Sequence, residues 1–323
     1  MIARLLGLAG LAAVLLTAPA ADAEDAKIRI AVLKFGTVNW ELDTIRHHGL
    51  DTKNGFMLDI VEAANKDATA VMLQAGEADV IVTDWVWVAR QRADGRMMSL
   101  IPFSRSVGAL LVPKDSPVRT LADLKGRKIG VAGGPVDKSW ILIRALATKR
   151  HGIDLAREAE PVFGAPPLLM QKALSGELDA VINFWHFNAK MMAKGMRPVI
   201  DVADAAAELG LDPDTPLLGF VFRDEWAAAN PKLVAGLRAA STEAKAMLMT
   251  SDAEWDRLRP QMNADDDATF AALRSGFRSG IPADTARVDL DAAQRMFKML
   301  VELGGTDLVG DAKELTPGVF YTN

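Results

Sequence analysis

Five of the seven tryptophans in this sequence, Trp40, Trp85, Trp87, Trp140 and Trp185, stand where a short apolar run ends or a helical run begins. Flat rings in such places offer stacking surfaces to a flat ligand, each face contributing roughly 1 kcal/mol beyond burial. Polar residues accompany them. Thr83-Asp84 precede Trp85, Asn183-Phe184 precede Trp185, and His186 follows it. Gly133-Gly134-Pro135-Val136-Asp137-Lys138 lie just before Trp140, and Arg105 interrupts an apolar stretch. Two adjacent glycines let backbone come close to a ligand, and the free N–H groups of a helix start favour an anion. The chemistry within reach is recognition. Trp40, Trp85, Trp140 and Trp185 would stack, while Thr83, Asp84, Asn183 and His186 would exchange hydrogen bonds. Arg105, Lys138 and the backbone from Gly133 and Gly134 through Asp137 would hold an acid group. Trp87 reads as core, and Asp84 has a second use as the cap of the helix it starts.

Catalysis and metal binding fit less well. An enzyme needs a partnered acid or base in its cleft; Asp84, His186 and Glu41 are the candidates, and the sequence provides none of them with an evident partner. His47 and His48 project about 100° apart on a helix with no third ligand in reach. Asp265-Asp266-Asp267 lacks the alternating ligands of a calcium loop and reads as a helix start. The expectation is a binder with no catalytic residue, no metal and no required cofactor, although the ligand could itself be an organic cofactor.

The elements that must position these residues are announced by an internal repeat. Gly76-Glu77-Ala78-Asp79-Val80-Ile81-Val82-Thr83-Asp84-Trp85 returns as Gly176-Glu177-Leu178-Asp179-Ala180-Val181-Ile182-Asn183-Phe184-Trp185. In each copy a helical run stops at glycine and a continuous apolar run follows, the signature of a parallel strand buried on both faces. Ligands of open α/β sheets bind beyond the carboxyl ends of the strands, so both tryptophan-tipped ends should face one crevice. Two such halves predict an α/β fold of two lobes, each a mostly parallel sheet flanked by helices, with a cleft between. The chain would cross at Ser104 to Gly108 and return at Pro216 to Gly219, giving a first lobe of 24–105 with 217–323 and a second of 106–216. From Pro231 onward the pattern is almost wholly helical.

At 323 residues the chain exceeds what one ordinary core absorbs. Residues 1–23 have the basic, apolar and small-residue zones of a secretory signal, with Ala21-x-Ala23 as cleavage site. Its apolar run is too short to span a membrane. The absence of cysteine excludes disulfides, thiol nucleophiles and a lipid-anchor cysteine. A net charge of -5 without a basic block argues against nucleic acid or an anionic membrane as partner. A soluble periplasmic monomer is expected.

Three segments carry a family resemblance: Gly76-Glu77-x-Asp79, Ser116-Pro117-x-x-Thr120-Leu121-Ala122-Asp123-Leu124-Lys125-Gly126-Arg127-Lys128-Ile129-Gly130-Val131, and Gly176-Glu177-x-Asp179-Ala180. The stretch from about Lys27 to Trp226 resembles the periplasmic substrate-binding proteins of ABC importers, in the branch that takes up nitrate, sulfonates such as taurine, and pyrimidines. The resemblance implies a type II periplasmic binding fold, a small-molecule ligand and a permease partner in the inner membrane. The loop at Gly133 to Lys138 lacks the small hydroxyl residues that sulfonate binders of this branch carry after the glycine pair. Rings and cations together point to a planar heteroaromatic acid of the pyrroloquinoline quinone, flavin or pyrimidine type. A small sulfonate or nitrate, or an exported enzyme or cofactor carrier on the same scaffold, are the alternatives.

Overall fold

The computed structural model describes residues 26–282 and 287–322. The signal expected over 1–23 lies outside them. Ten strands run along the chain: β1 Lys27–Leu33, β2 Met57–Ala63, β3 Val80–Asp84, β4 Met98–Ser104, β5 Ala109–Val112, β6 Lys128–Ala132, β7 Glu160–Gly164, β8 Ala180–Asn183, β9 Arg197–Asp201 and β10 Leu218–Arg223. They form two five-stranded sheets, ordered β2-β1-β3-β10-β4 and β7-β6-β8-β5-β9. In the first, β1 pairs parallel with β2 and β3, while β10 runs antiparallel to β3 and β4. In the second, β6 pairs parallel with β7 and β8, while β5 runs antiparallel to β8 and β9. The two sheets thus share one plan, and this is the two-lobed α/β architecture expected from the repeat.

The repeated Gly-Glu-x-Asp performs one mechanical task in both copies. Gly76 and Gly176 sit at φ 76° and 81°, where the chain leaves a helix by a left-handed turn that side chains disfavour. Three residues on, Asp79 accepts the Arg29 N–H at 2.9 Å, and Asp179 accepts the Lys128 N–H at the same distance. Each aspartate returns its own N–H to the carbonyl of the same residue. The motif therefore pins the start of β3 to β1 and of β8 to β6, which sets where their carboxyl ends emerge.

Three apolar clusters fill the interior. One takes Ile28, Ile30, Phe220 and Phe222 of the first sheet together with Leu237 and Leu248 of the Pro231–Thr250 helix and Trp255 of the Asp252–Met262 helix. A second lies under the second sheet, around Leu111, Leu169, Val181 and Met191. The third joins the halves: Ile81 and Trp85, then Leu110, Ile129 and Trp140, then Phe297 of the Leu290–Val309 helix, which packs on helices of both halves. Glu41, one of the acids an enzyme could have used, is fully buried among these helices. It is paired with Lys245 at 2.5 Å and hydrogen-bonded by Ser241 at 2.6 Å. Asp266 caps the Asp267–Gly280 helix, as the aspartate run implied.

Candidate functional site

The carboxyl ends of β1, β3, β6 and β8 converge on a cavity of about 160 Å³. Two segments of the crossings, Ser106 to Gly108 and Leu217 to Leu218, close its sides. Four charged side chains dominate its wall. Asp84 ends β3 and caps the Trp85–Ala93 helix, accepting the Trp87 N–H at Oδ1 (2.9 Å). Its other oxygen, Oδ2, pairs at 2.8 Å with the ammonium of Lys138, the first residue of the Lys138–His151 helix that follows β6. One sheet thus contributes the carboxylate and the other the ammonium of a pair that spans the cleft. Asp137 caps the Lys138 helix, accepting N–H groups of Ser139 at 2.9 Å and Trp140 at 3.3 Å. Lys66 opens the Lys66–Ala75 helix just beyond β2.

Their ionisation follows from these contacts. Burial alone would raise the Asp84 carboxyl; the Lys138 and Lys66 charges and the Trp87 N–H overcome it and hold Asp84 below the usual carboxylate range. Burial would lower Lys138, but Asp84 and Asp137 hold it above the usual lysine value. Burial raises Asp137, with the two lysines only partly offsetting it. Lys66 is pressed down by desolvation at the cleft and by the like charge of Lys138, but the residue is exposed, so solvent screens much of this. Among the described residues Lys66 has no carboxylate at ion-pair distance, and its ammonium lies 5.7 Å from the Phe184 ring. It is the cation this quartet leaves for an outside anion.

The aromatic wall comes from the second repeat. Phe184 and Trp185 are half-buried and line the cavity with His186. Behind Trp185, edge-on at 6.0 Å, stands Trp40, 5 % exposed and braced by Trp255 and Phe277. Trp40 therefore supports the Trp185 ring and does not itself line the cavity. Gly276 makes the Trp185 position possible, because a β-carbon there would lie 2.7 Å from the indole.

Several expected site residues are placed elsewhere. Trp85 and Trp140 are 0 % and 1 % exposed and belong to the apolar cluster that joins the halves. Trp85 is covered by Phe297 and Phe320, so the first repeat has no indole in the cleft to match Trp185. Trp87, read as core, is half-buried and borders an adjoining cavity of about 170 Å³. Thr83 and Gly133 border that adjoining space, and the charged quartet walls both cavities. Gly133 and Gly134 have φ near 90°, as the glycine pair suggested. The helix start they lead to is not an open anion site, because Asp137 already accepts its first-turn N–H groups. Asn183 is buried, donating to the Pro166 carbonyl and accepting the Phe184 N–H. Arg105, on the first crossing, pairs with Asp214 just before the return crossing and donates to the Ser279 carbonyl. It faces a separate groove of about 650 Å³ on the far side of Trp185. Lys66 lines the cavity although the sequence had not singled it out, whereas Phe184 lies at the strand end expected to face the crevice. Asn65-Lys66, a capping residue and a cation directly after a strand, was the signal available.

Two sheets exchanging antiparallel strands, with charge and aromatic surface gathered between their carboxyl edges, define a type II periplasmic binding-protein fold. Solved structures bear this out. The aliphatic sulphonate binding protein SsuA of Escherichia coli superposes with a TM-score of 0.73 at 19 % identity, covering 91 % of this chain and 92 % of that one. The alkanesulfonate-binding protein SsuA of Xanthomonas axonopodis pv. citri, solved with MOPS bound, gives 0.69 at 18 % identity, over 93 % and 99 %. The chain belongs to the NMT1/THI5-like family, whose model matches residues 46–254. A Haemophilus influenzae protein named provisionally for thiamine biosynthesis is 28 % identical over 176 residues, 52 % of this chain and 54 % of its own. The chain spans about half the length of the curated relatives it matches. Among the described residues no helix is long and apolar enough to cross a membrane, and no group of three or more His, Cys, Asp or Glu could hold a metal ion.

Proposed function

We propose that this chain is a periplasmic solute-binding protein that captures a small heteroaromatic acid and delivers it to an ABC permease in the inner membrane. Residues 1–23 would direct export, and the mature chain would act as a monomer. Residues 24–105 with 217–323 would close against 106–216 by a hinge at the two crossings. The observation that carries this reading is the cleft itself: an unpaired Lys66 ammonium beside the Phe184 and Trp185 rings, inside about 160 Å³. That volume lies below the roughly 300–1,000 Å³ of sites for drug-sized ligands. It suits one substituted ring, so the pyrimidine type is favoured over a flavin or pyrroloquinoline quinone. The larger two would need the Asp84–Lys138 partition opened. The Haemophilus relative, by its name, supports a link to thiamine-precursor chemistry.

No catalysis is proposed. Asp84 is bound to Lys138, Glu41 to Lys245, and His186 has no acid or base partner. A small sulfonate remains the second reading, supported by the fold neighbours and by the same Lys66. Calorimetry and tryptophan fluorescence on the mature chain separate the two. Orotate and pyridine-3-carboxylate should bind and quench fluorescence, with both effects lost in Trp185→Ala and kept in Trp85→Phe. Tight binding of taurine or nitrate with no response to either ring acid would overturn the heteroaromatic reading.

A further inference from the structure

Resting on the heteroaromatic-acid reading and sharpening it, we propose that His186 is the specificity-determining residue of the cleft. It would hydrogen-bond a nitrogen or oxygen carried on the ligand's ring and so select aza-heteroaromatic acids over carbocyclic ones.

His186 is the second residue of the Trp185–Ala193 helix, 8 % exposed, and lines the cleft cavity. Neither of its ring nitrogens has a hydrogen-bond partner, and both are shut off from solvent in this arrangement, so a ligand reaches them only when the ring turns toward the cavity it lines. Buried polar atoms in native proteins are nearly always satisfied, so each exception asks for an explanation. Among the described residues, other buried side-chain atoms without partners occur, including Trp85 Nε1, Asn188 Oδ1 and Thr269 Oγ1, but His186 is the residue of that set that lines this cavity. Its nearest rings cannot help: Phe187 at 4.4 Å, Trp185 at 5.7 Å and Phe184 at 6.4 Å present apolar surface.

The protonation state decides what the imidazole can read. Burial, aided by the Lys190 ammonium on the same helix, pushes His186 down to about 3, so the ring is neutral at physiological pH. A neutral imidazole has one N–H donor and one bare nitrogen acceptor. It therefore suits a ring atom with a lone pair or an N–H, and gives nothing to a C–H edge. The acid group is left to Lys66, across the same cavity. The two groups divide the ligand: Lys66 takes its charge, His186 reads its ring.

The test is calorimetry of the mature wild-type chain and of His186→Phe and His186→Gln, each with pyridine-3-carboxylate, orotate and benzoate, with melting curves to confirm folding. Wild type should prefer pyridine-3-carboxylate to benzoate by roughly 2- to 13-fold, the worth of one hydrogen bond. His186→Phe should erase that preference, and His186→Gln, which keeps a donor and an acceptor, should retain part of it. Equal wild-type affinity for pyridine-3-carboxylate and benzoate overturns the selector role and leaves the parent reading standing. So does a preference that survives in His186→Phe. If no ring acid binds, the parent reading falls and this inference with it.

Discussion

Replacing Asp84 with asparagine should open the cleft. The Asp84 carboxylate and the Lys138 ammonium belong to opposite sheets, lie 2.8 Å apart, and are 5 % and 18 % exposed. With an effective dielectric constant near 20, two unit charges at that separation attract by about 6 kcal/mol, and desolvation of both groups cancels much of it. Removing one partner of a buried pair costs roughly 3–5 kcal/mol, because the other charge is left uncompensated. Lys138 keeps Asp137 nearby, so the low end applies: about 3 kcal/mol, on the order of a hundredfold in the ratio of closed to open forms. Asparagine also accepts a helix N–H, so the cap on Trp87 persists and the change reports on the ion pair. The pH behaviour follows from the directions of the two shifts. Asp84 is held below its ordinary range, so its contribution is lost only as pH falls through that lowered value. Lys138 is held above its own, so its contribution is lost only as pH rises past the raised one. Closure should be insensitive to pH between them. The chain has no cysteine, so two introduced cysteines can carry spin labels, one on each lobe, for distance measurement. An unchanged distance distribution in Asp84→Asn would refute the argument.

Lys66→Met should weaken binding of pyridine-3-carboxylate roughly 10- to 100-fold, the range of a hydrogen bond to a charged group. Its melting temperature should change little, because the charge lost to Asp84 and Asp137 is offset by relief of a desolvated ammonium facing Lys138; calorimetry and a thermal melt check both. Gly276→Ala places a β-carbon 2.7 Å from Trp185 Cζ3 and 2.9 Å from Cε3. The displaced indole should reduce ligand affinity about tenfold or more, at an overpacking cost of about 1–3 kcal/mol that the better helix propensity of alanine partly offsets. Wild-type affinity in that variant would show that Trp185 is not a ligand surface. Glu254 accepts hydrogen bonds from Thr44 and Arg257 and pairs with His48; these overcome burial and hold its carboxyl at about 2. Since the folded value lies below the unfolded one near about 4.3, its stabilisation is complete above that pH and fades as pH falls through about 2. Glu254→Gln should therefore be less stable than wild type by about 2 kcal/mol at pH 7, with the gap narrowing below pH ~4. A gap of constant size in denaturant titrations across that range would contradict the assignment.

What the sequence disclosed was whatever a short stretch decides for itself. The paired Gly-Glu-x-Asp segments announced two equivalent halves because glycine turn, aspartate anchor and apolar strand are all local. The caps at Asp84 and Asp266 were readable for the same reason. Which indole reaches the cleft was not readable, because the deciding neighbours lie far along the chain. Phe297 and Phe320 bury Trp85 from more than 200 residues away, whereas Gly276 clears a place for Trp185. Arg105 shows the same limit: its partner Asp214 lies far along the chain, just before the return crossing. Lys66 is a further case: it is the first residue of its helix, capped by the Asn65 side chain, and only the fold brings that helix start to the cavity wall.

The aspartates explain why, on the proposed reading, the acid group of a ligand would fall to one lysine. A helix start beside a glycine pair is a ready anion site while its N–H groups are free. Here both helix starts that border the cavity from β3 and β6 bring their own carboxylate, Asp84 on Trp87 and Asp137 on Ser139 and Trp140. Each filled cap replaces an anion hole with a negative charge, and Lys138 is drawn to Asp84 in consequence. The quartet of two aspartates and two lysines is balanced in charge; Asp84 and Lys138 pair directly, Asp137 is held by helix N–H groups, and Lys66 is the lysine of the four with no carboxylate at ion-pair distance. A ligand with two or three acid groups would bring at least one against Asp84 or Asp137 with no cation to meet it. One ring with one acid group meets no such repulsion, and its remaining polar edge falls to His186.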